Sequence, residues 1–149
     1  MLGIRRLALA LLLLPSIIAF GASGDGGAMD KQLISVLTEA RARNYPGVID
    51  AIALLDKRGR RADASLLRLL DYYVGEGPTL ELDEAITKRG KRMLEPLLAR
   101  RNSKLNCLPD FMQVCMSRFS DGISARNEHI SHLVDAVRSG VVLRPEKQR

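Results

Sequence analysis

Lys57-Arg58-Gly59-Arg60-Arg61 recurs as Lys88-Arg89-Gly90-Lys91-Arg92, 31 positions later. A basic-Gly-basic element that returns at this period points to stacked helical units. On both sides of it the apolar residues keep helical spacing. Before Lys57 stand Val48, Ile49, Ala51, Ile52 and Leu55, and after Arg61 stand Leu66, Leu67, Leu69 and Leu70. Lys57 and Arg58 suit the negative end of a helix dipole, and Gly59 suits a C-terminal cap. Each unit therefore reads as helix, basic turn, helix.

The agreement extends past the pentapeptide. At an offset of 31, Ile49 meets Leu80, Asp50 meets Glu81, Leu55 meets Ile86 and Leu66-Leu67 meets Leu97-Leu98. Pro46-Gly47 meets Gly77-Pro78, so breakers face breakers. Ile52 against Asp83 and Ala53 against Glu84 disagree. From Pro46 to Arg101 this pattern resembles the HEAT and armadillo type of helical repeat. The resemblance implies paired helices stacked into a curved array. Two units are fewer than such an array usually needs, so the flanking helices are expected to cap it. The fold class expected is all-α, a small HEAT-like stack of helix pairs with a disulfide-linked C-terminal cap.

The flanks supply those helices. Leu33, Val36, Leu37 and Ala40 form one stripe of a helix from about Met29 to Arg43. Tyr45-Pro46 ends it, and Pro46 suits the first turn of the next. The third helix opens at Ala62 or Asp63 and is expected to run to Val74. Gly75-Glu76-Gly77-Pro78 breaks the chain, and Thr79 can cap a fourth helix. Gly90 and Pro96 leave two readings, a turn followed by a new helix or one kinked helix. Pro109-Asp110 can start a short helix bearing Phe111, Met112, Val114 and Cys115. Ser120-Asp121-Gly122 reads as a turn. Ile130, Leu133, Val134 and Val137 give the last helix, about Ser124 to Ser139, a clean stripe.

The first residues read as a secretory signal peptide. Arg5 and Arg6 precede eight residues of Leu and Ala, an apolar run continues past Pro15, and Gly21-Ala22-Ser23-Gly24 follows. Cleavage after Gly21 or after Ser23 fits. An uncleaved anchor is disfavoured because Pro15 interrupts the run. The expected organisation is a signal peptide over 1–23, a flexible N-terminus over 24–28, one helical domain over 29–143 and a disordered tail over 144–149. The location expected is export, to the periplasm or beyond.

The whole chain has 149 residues, with 23 Lys plus Arg against 17 Asp plus Glu. Without Arg5 and Arg6 the excess is four positive charges. Such a surface permits acidic partners without demanding nucleic acid. Trp is absent and aromatics make up 4% of the chain, too few for a base-stacking platform. Cys107 and Cys115 are the only cysteines. In an exported chain such a pair favours a disulfide. A Cys2His2 zinc site with His129 and His132 is formally possible and ranks below it.

No residue pattern suggests strong catalytic chemistry. Both histidines lie on one helical stretch beside Ser131 and Asp135, a solvated face rather than a nucleophile and its base. Glu81, Asp83 and Glu84 complement a helix dipole more simply than they form an acid-base pair. Gly75-Glu76-Gly77 lacks the Lys-Ser or Lys-Thr of a phosphate loop. No catalytic, metal or cofactor residues are therefore assigned, and no enzyme is expected.

The expected function is binding another protein, of acidic character. Helix termination accounts for Gly59, Gly90 and the two basic residues before each. It leaves Arg60, Arg61, Lys91 and Arg92, which with Tyr72 are the candidate partner-binding residues. Exposed tyrosine is a common interface anchor. In format (signal peptide, compact helices, mature length) the chain resembles the periplasmic immunity proteins of type VI secretion amidases. That resemblance implies an immunity or inhibitor role. The alternative is an envelope-associated binder of anionic lipid or wall polymer through the same basic edge.

Overall fold

The computed structural model describes residues 30–75, 77, 79–115 and 122–146. The expected signal peptide, the Gly-rich stretch after it and the first two residues of the expected Ser120-Asp121-Gly122 turn lie outside the described residues, and Gly122 opens the last helix instead. Six α-helices are described: α1 Lys31–Arg41, α2 Tyr45–Asp56, α3 Asp63–Leu69, α4 Leu80–Thr87, α5 Leu94–Arg100 and α6 Gly122–Arg138. Three 3-10 segments, Gly59–Ala62, Gly90–Met93 and Pro109–Val114, complete the regular structure. The described residues form no strand, and one isolated antiparallel bridge joins Tyr72 to Cys115.

The 31-residue offset is present in the backbone. α2 ends at Asp56 and α4 at Thr87, and the two basic 3-10 turns and the helices after them begin and end at matching positions. Gly59 and Gly90 have φ of 62° and 70°. A side chain on either would meet nothing within 4 Å. The glycines are therefore required by the left-handed backbone, not by lack of room. The turns also place equivalent apolar residues inside. Leu55 and Ile86, Ala62 and Met93, and Leu66 and Leu97 are all buried.

Helices α1, α3 and α5 form one layer, and α2, α4 and α6 the other. Contacts run α1 to α2, α3 to α4 and α5 to α6 across the layers, and between neighbours within each layer. The result is a stack of three helix pairs around one continuous apolar core. Local capping follows the sequence. The Asp30 carboxylate accepts from Gln32 N at 3.0 Å, and Asn44 Oδ1 from Gly47 N at 3.3 Å. Thr79 Oγ1 accepts from Leu82 N at 3.3 Å. These residues fill donors that a helix start leaves open.

One open reading closes and one expectation changes. Of the two readings around Gly90, the turn followed by a new helix is correct, with Pro96 in the first turn of α5. There its missing N–H costs nothing. The third helix stops at Leu69, not Val74. Beyond it the chain turns, so that Asp71 points inward and Tyr73 N donates to Val114 O at 2.5 Å. Cys107 and Cys115 form a disulfide, with Cα atoms 6.0 Å apart. It ties the segment Pro109–Val114 to the preceding loop. That segment packs on α1, where the Arg41 guanidinium lies 4.9 Å from the centre of the Phe111 ring.

Candidate functional site: two basic turns

The second basic turn is tied to the first unit. Arg89, with 3% of its side chain exposed, reaches back across the stack. Its guanidinium donates to Asp56 Oδ1 at 2.5 Å and Asp63 Oδ1 at 2.7 Å. It also donates to the carbonyls of Ala85, Asp56 and Gly59. Lys88 pairs with Asp56 as well. Arg92 donates to both carboxylate oxygens of Asp63, at 2.9 and 3.1 Å. The planar forks of Arg89 and Arg92 suit this shared binding of carboxylates. The Arg89 bond to Gly59 O, at 3.0 Å, also shows that the two basic turns lie side by side.

Partial burial pushes the carboxyls of Asp56 and Asp63 up. Hydrogen bonds and charges from Lys88, Arg89 and Arg92 outweigh it and hold both below their ordinary value of 3.8. Asp30 behaves alike: burial raises it, and the Ser65 hydroxyl, the Gln32 amide and Arg58 lower it further. Carboxyls depressed in the fold bind fewer protons there than in the unfolded chain. Their stabilisation is complete above the unfolded value and is lost as pH falls through the folded ones. Urea midpoints are therefore expected to hold from neutrality to about pH 5 and to fall below about pH 4. The double variant Asp56→Asn/Asp63→Asn starts lower and declines less steeply, and an unchanged acid slope in it would contradict this.

The first basic turn is different. Among the described residues Arg58, the counterpart of Arg89, has one carboxylate partner, Asp30, and its side chain is 34% exposed. Arg60, Arg61 and Lys91 are exposed and have no ion pair or side-chain hydrogen bond among the described residues. Of the four cations singled out from the sequence, only Arg92 is engaged among the described residues. Tyr72 is corrected. It is 1% exposed, and its Oη accepts from Leu108 N at 2.6 Å, so it belongs to the core and offers nothing to a partner. Its neighbour Tyr73 is the exposed one, at 38%. Nearby, Tyr45, Ile49 and Leu80 line an open apolar groove with Gly75 and Gly77.

A buried charge cluster escaped the sequence reading. Asp71 and Arg126 are both fully buried and meet at 3.0 Å. The other Asp71 oxygen accepts from Arg100 Nη1 at 2.8 Å and Asn106 N at 3.1 Å. Arg126 also donates to Ser103 O at 2.5 Å. This cluster joins the end of α3 to α5, to the loop after it and to α6. The sequence did carry a signal for it: Arg126 stands four residues before Ile130, on the apolar stripe of α6. His129 Nε2 lies 2.8 Å from Asp83 Oδ1, which links α4 to α6. Asp83 is buried at the position that Ile52 occupies in the first unit, so the mismatch between repeats is one inward site filled in two ways. Among the described residues no group of three or more His, Cys, Asp or Glu gathers as metal ligands.

No family model matches this chain, and no curated protein and no solved structure is significantly similar to it.

Proposed function

We propose that this is an exported, non-catalytic protein-binding module that engages an acidic partner through the edge carrying Arg60, Arg61 and Lys91. The observation that carries the reading is the contrast between the turns. Three exposed cations on adjacent turns have no acid of their own among the described residues, whereas their neighbours Lys88, Arg89 and Arg92 do. Charge presented in this way favours encounter with an oppositely charged surface.

Export is part of the proposal. It is supported by the leader-like layout of the first 23 residues and by the disulfide. Among the described residues no helix is long and apolar enough to cross a membrane. The likeness to HEAT and armadillo arrays belongs to the proposal too, supported by the three stacked pairs. Within it, the immunity or inhibitor format is the role we favour.

The test is capture from periplasmic extract by the immobilised protein, compared with Arg60→Glu/Arg61→Glu/Lys91→Glu. Capture is expected to fall by about tenfold or more. Unchanged capture by the triple variant would overturn the basic-edge reading. Salt-sensitive binding to acidic vesicles without any captured protein would favour the alternative, an envelope binder.

A further inference from the structure

We propose that the cleft between α1 and α3 binds the carboxylates of an acidic segment of a partner protein. This rests on the protein-binding reading above and names the place on the basic edge where the partner's acid is held. The cleft has a volume of about 480 Å³, and Asp30, Lys31, Gln32, Arg58, Arg61 and Arg68 line it. It holds four cations against one carboxylate. Asp30 is already engaged, donating nothing and accepting from Arg58, Ser65 and Gln32 N.

The repeat shows what is missing. Thirty-one positions before Asp63, the residue that accepts from Arg89 and Arg92, stands Gln32. Arg58 and Arg61 are the counterparts of Arg89 and Arg92. In the second turn those two arginines converge on the Asp63 carboxylate. In the first turn an uncharged amide occupies the corresponding place, and Arg61 has no partner among the described residues. Two buried polar atoms on the lining also lack partners among the described residues, Arg68 Nε and Gln32 Oε1. An unpartnered guanidinium N–H is costly and calls for an acceptor. Rotating the Gln32 amide by 180° would present its N–H2 there as a second donor.

The second turn of the same molecule shows which ligand chemistry fits. Where this turn is complete, carboxylates complete it, in bidentate and shared geometry. The cleft is open and large enough for more than one acidic side chain, which suits a peptide segment better than a single small anion. Four cations near one another are mutually repulsive, so an arriving carboxylate relieves repulsion as well as forming bonds.

The experiment is calorimetric titration of the purified full-length protein with a hexaglutamate peptide at low salt. Hexaglutamine and inorganic phosphate serve as comparators. Hexaglutamate is expected to bind, with affinity reduced about tenfold by Arg61→Glu and by Arg68→Gln, and changed less than about twofold by Arg138→Glu. Arg138 is an exposed cation at the end of α6, outside the cleft and the basic edge, so it controls for general attraction. Amide shifts in the wild-type protein should move at Lys31, Gln32, Ala64 and Ser65, a readout that does not depend on variants folding. Equal weakening by Arg138→Glu would overturn the cleft in favour of general charge attraction. Displacement of hexaglutamate by stoichiometric phosphate would overturn the peptide ligand in favour of a small-anion site. Absence of hexaglutamate binding, with partner capture still lost in the triple variant, would overturn the cleft alone. Absence of both would overturn the cleft and the function together.

Discussion

Replacing Asp71 with Asn is expected to destabilise the fold by about 3–5 kcal/mol, the usual cost of leaving a buried charge without its counter-charge. Asp71 and Arg126 are fully buried, so solvent does not screen the loss. Asn keeps the size of Asp71 and part of its hydrogen bonding, which makes the missing charge the dominant change. Among the described residues Arg126 would face only neutral acceptors, Ser103 O and Asn127 Oδ1. Arg100, whose side chain is 21% exposed, can turn toward water and loses less. A domain of this size has a total stability of about 5–15 kcal/mol, so the variant approaches the limit of folding. Urea unfolding reads the effect as a midpoint lower by about 2 M. Asp135→Asn, at an exposed position on α6, should stay within about 0.5 kcal/mol. A change at Asp71 no larger than that control would show that the cluster does not hold α3, α5 and α6 together.

Arg89→Met is expected to cost about 2–3 kcal/mol. Met fills much of the space of the stem without the guanidinium. Three carbonyls and two carboxylates lose a donor. The cost stays below that at Asp71 because Asp56 keeps Lys88 and Asp63 keeps Arg92. Both carboxylates are also about one-fifth exposed and partly solvated. Arg58→Met, at the equivalent position, should cost less than about 1 kcal/mol, since its one ion pair is exposed. Equal losses at the two positions, measured by urea unfolding, would show that the two turns do the same structural work.

Much of the fold was legible because periodicity, glycine and proline act locally. The stripes of α1, α2 and α6, the left-handed glycines at 59 and 90, and the Thr79 cap each follow from residues close in sequence. The end of α3 was not legible in this way. Leu66, Leu67, Leu69 and Leu70 continue a helical pattern into Tyr73 and Val74, and nothing local stops it. What stops it is remote: Asp71 must meet Arg100 and Arg126, and Tyr73 must pair with Val114. Adjacent helical positions point about 100° apart, so Tyr72 and Tyr73 cannot share one face, but which of them is buried depends on that turn. The basic turns were visible at once, whereas their unequal roles were not. Asp56 and Asp63 lie close in sequence to the first turn, yet they serve the second, because stacking brings residues some 30 positions apart into contact.

The central claim is that the second basic turn holds the stack together while the first is left charged for a partner. Charge reversal at the equivalent residues Arg61 and Arg92, read as urea midpoints at neutral pH and low salt, tests it most directly. Arg92→Glu removes the pair with Asp63 and sets a like charge beside it, so its midpoint should fall. Arg61→Glu removes one of four crowded cations, so its midpoint should stay level or rise, as binding sites do when their strain is relieved. A fall in Arg61→Glu as large as that in Arg92→Glu would contradict the account.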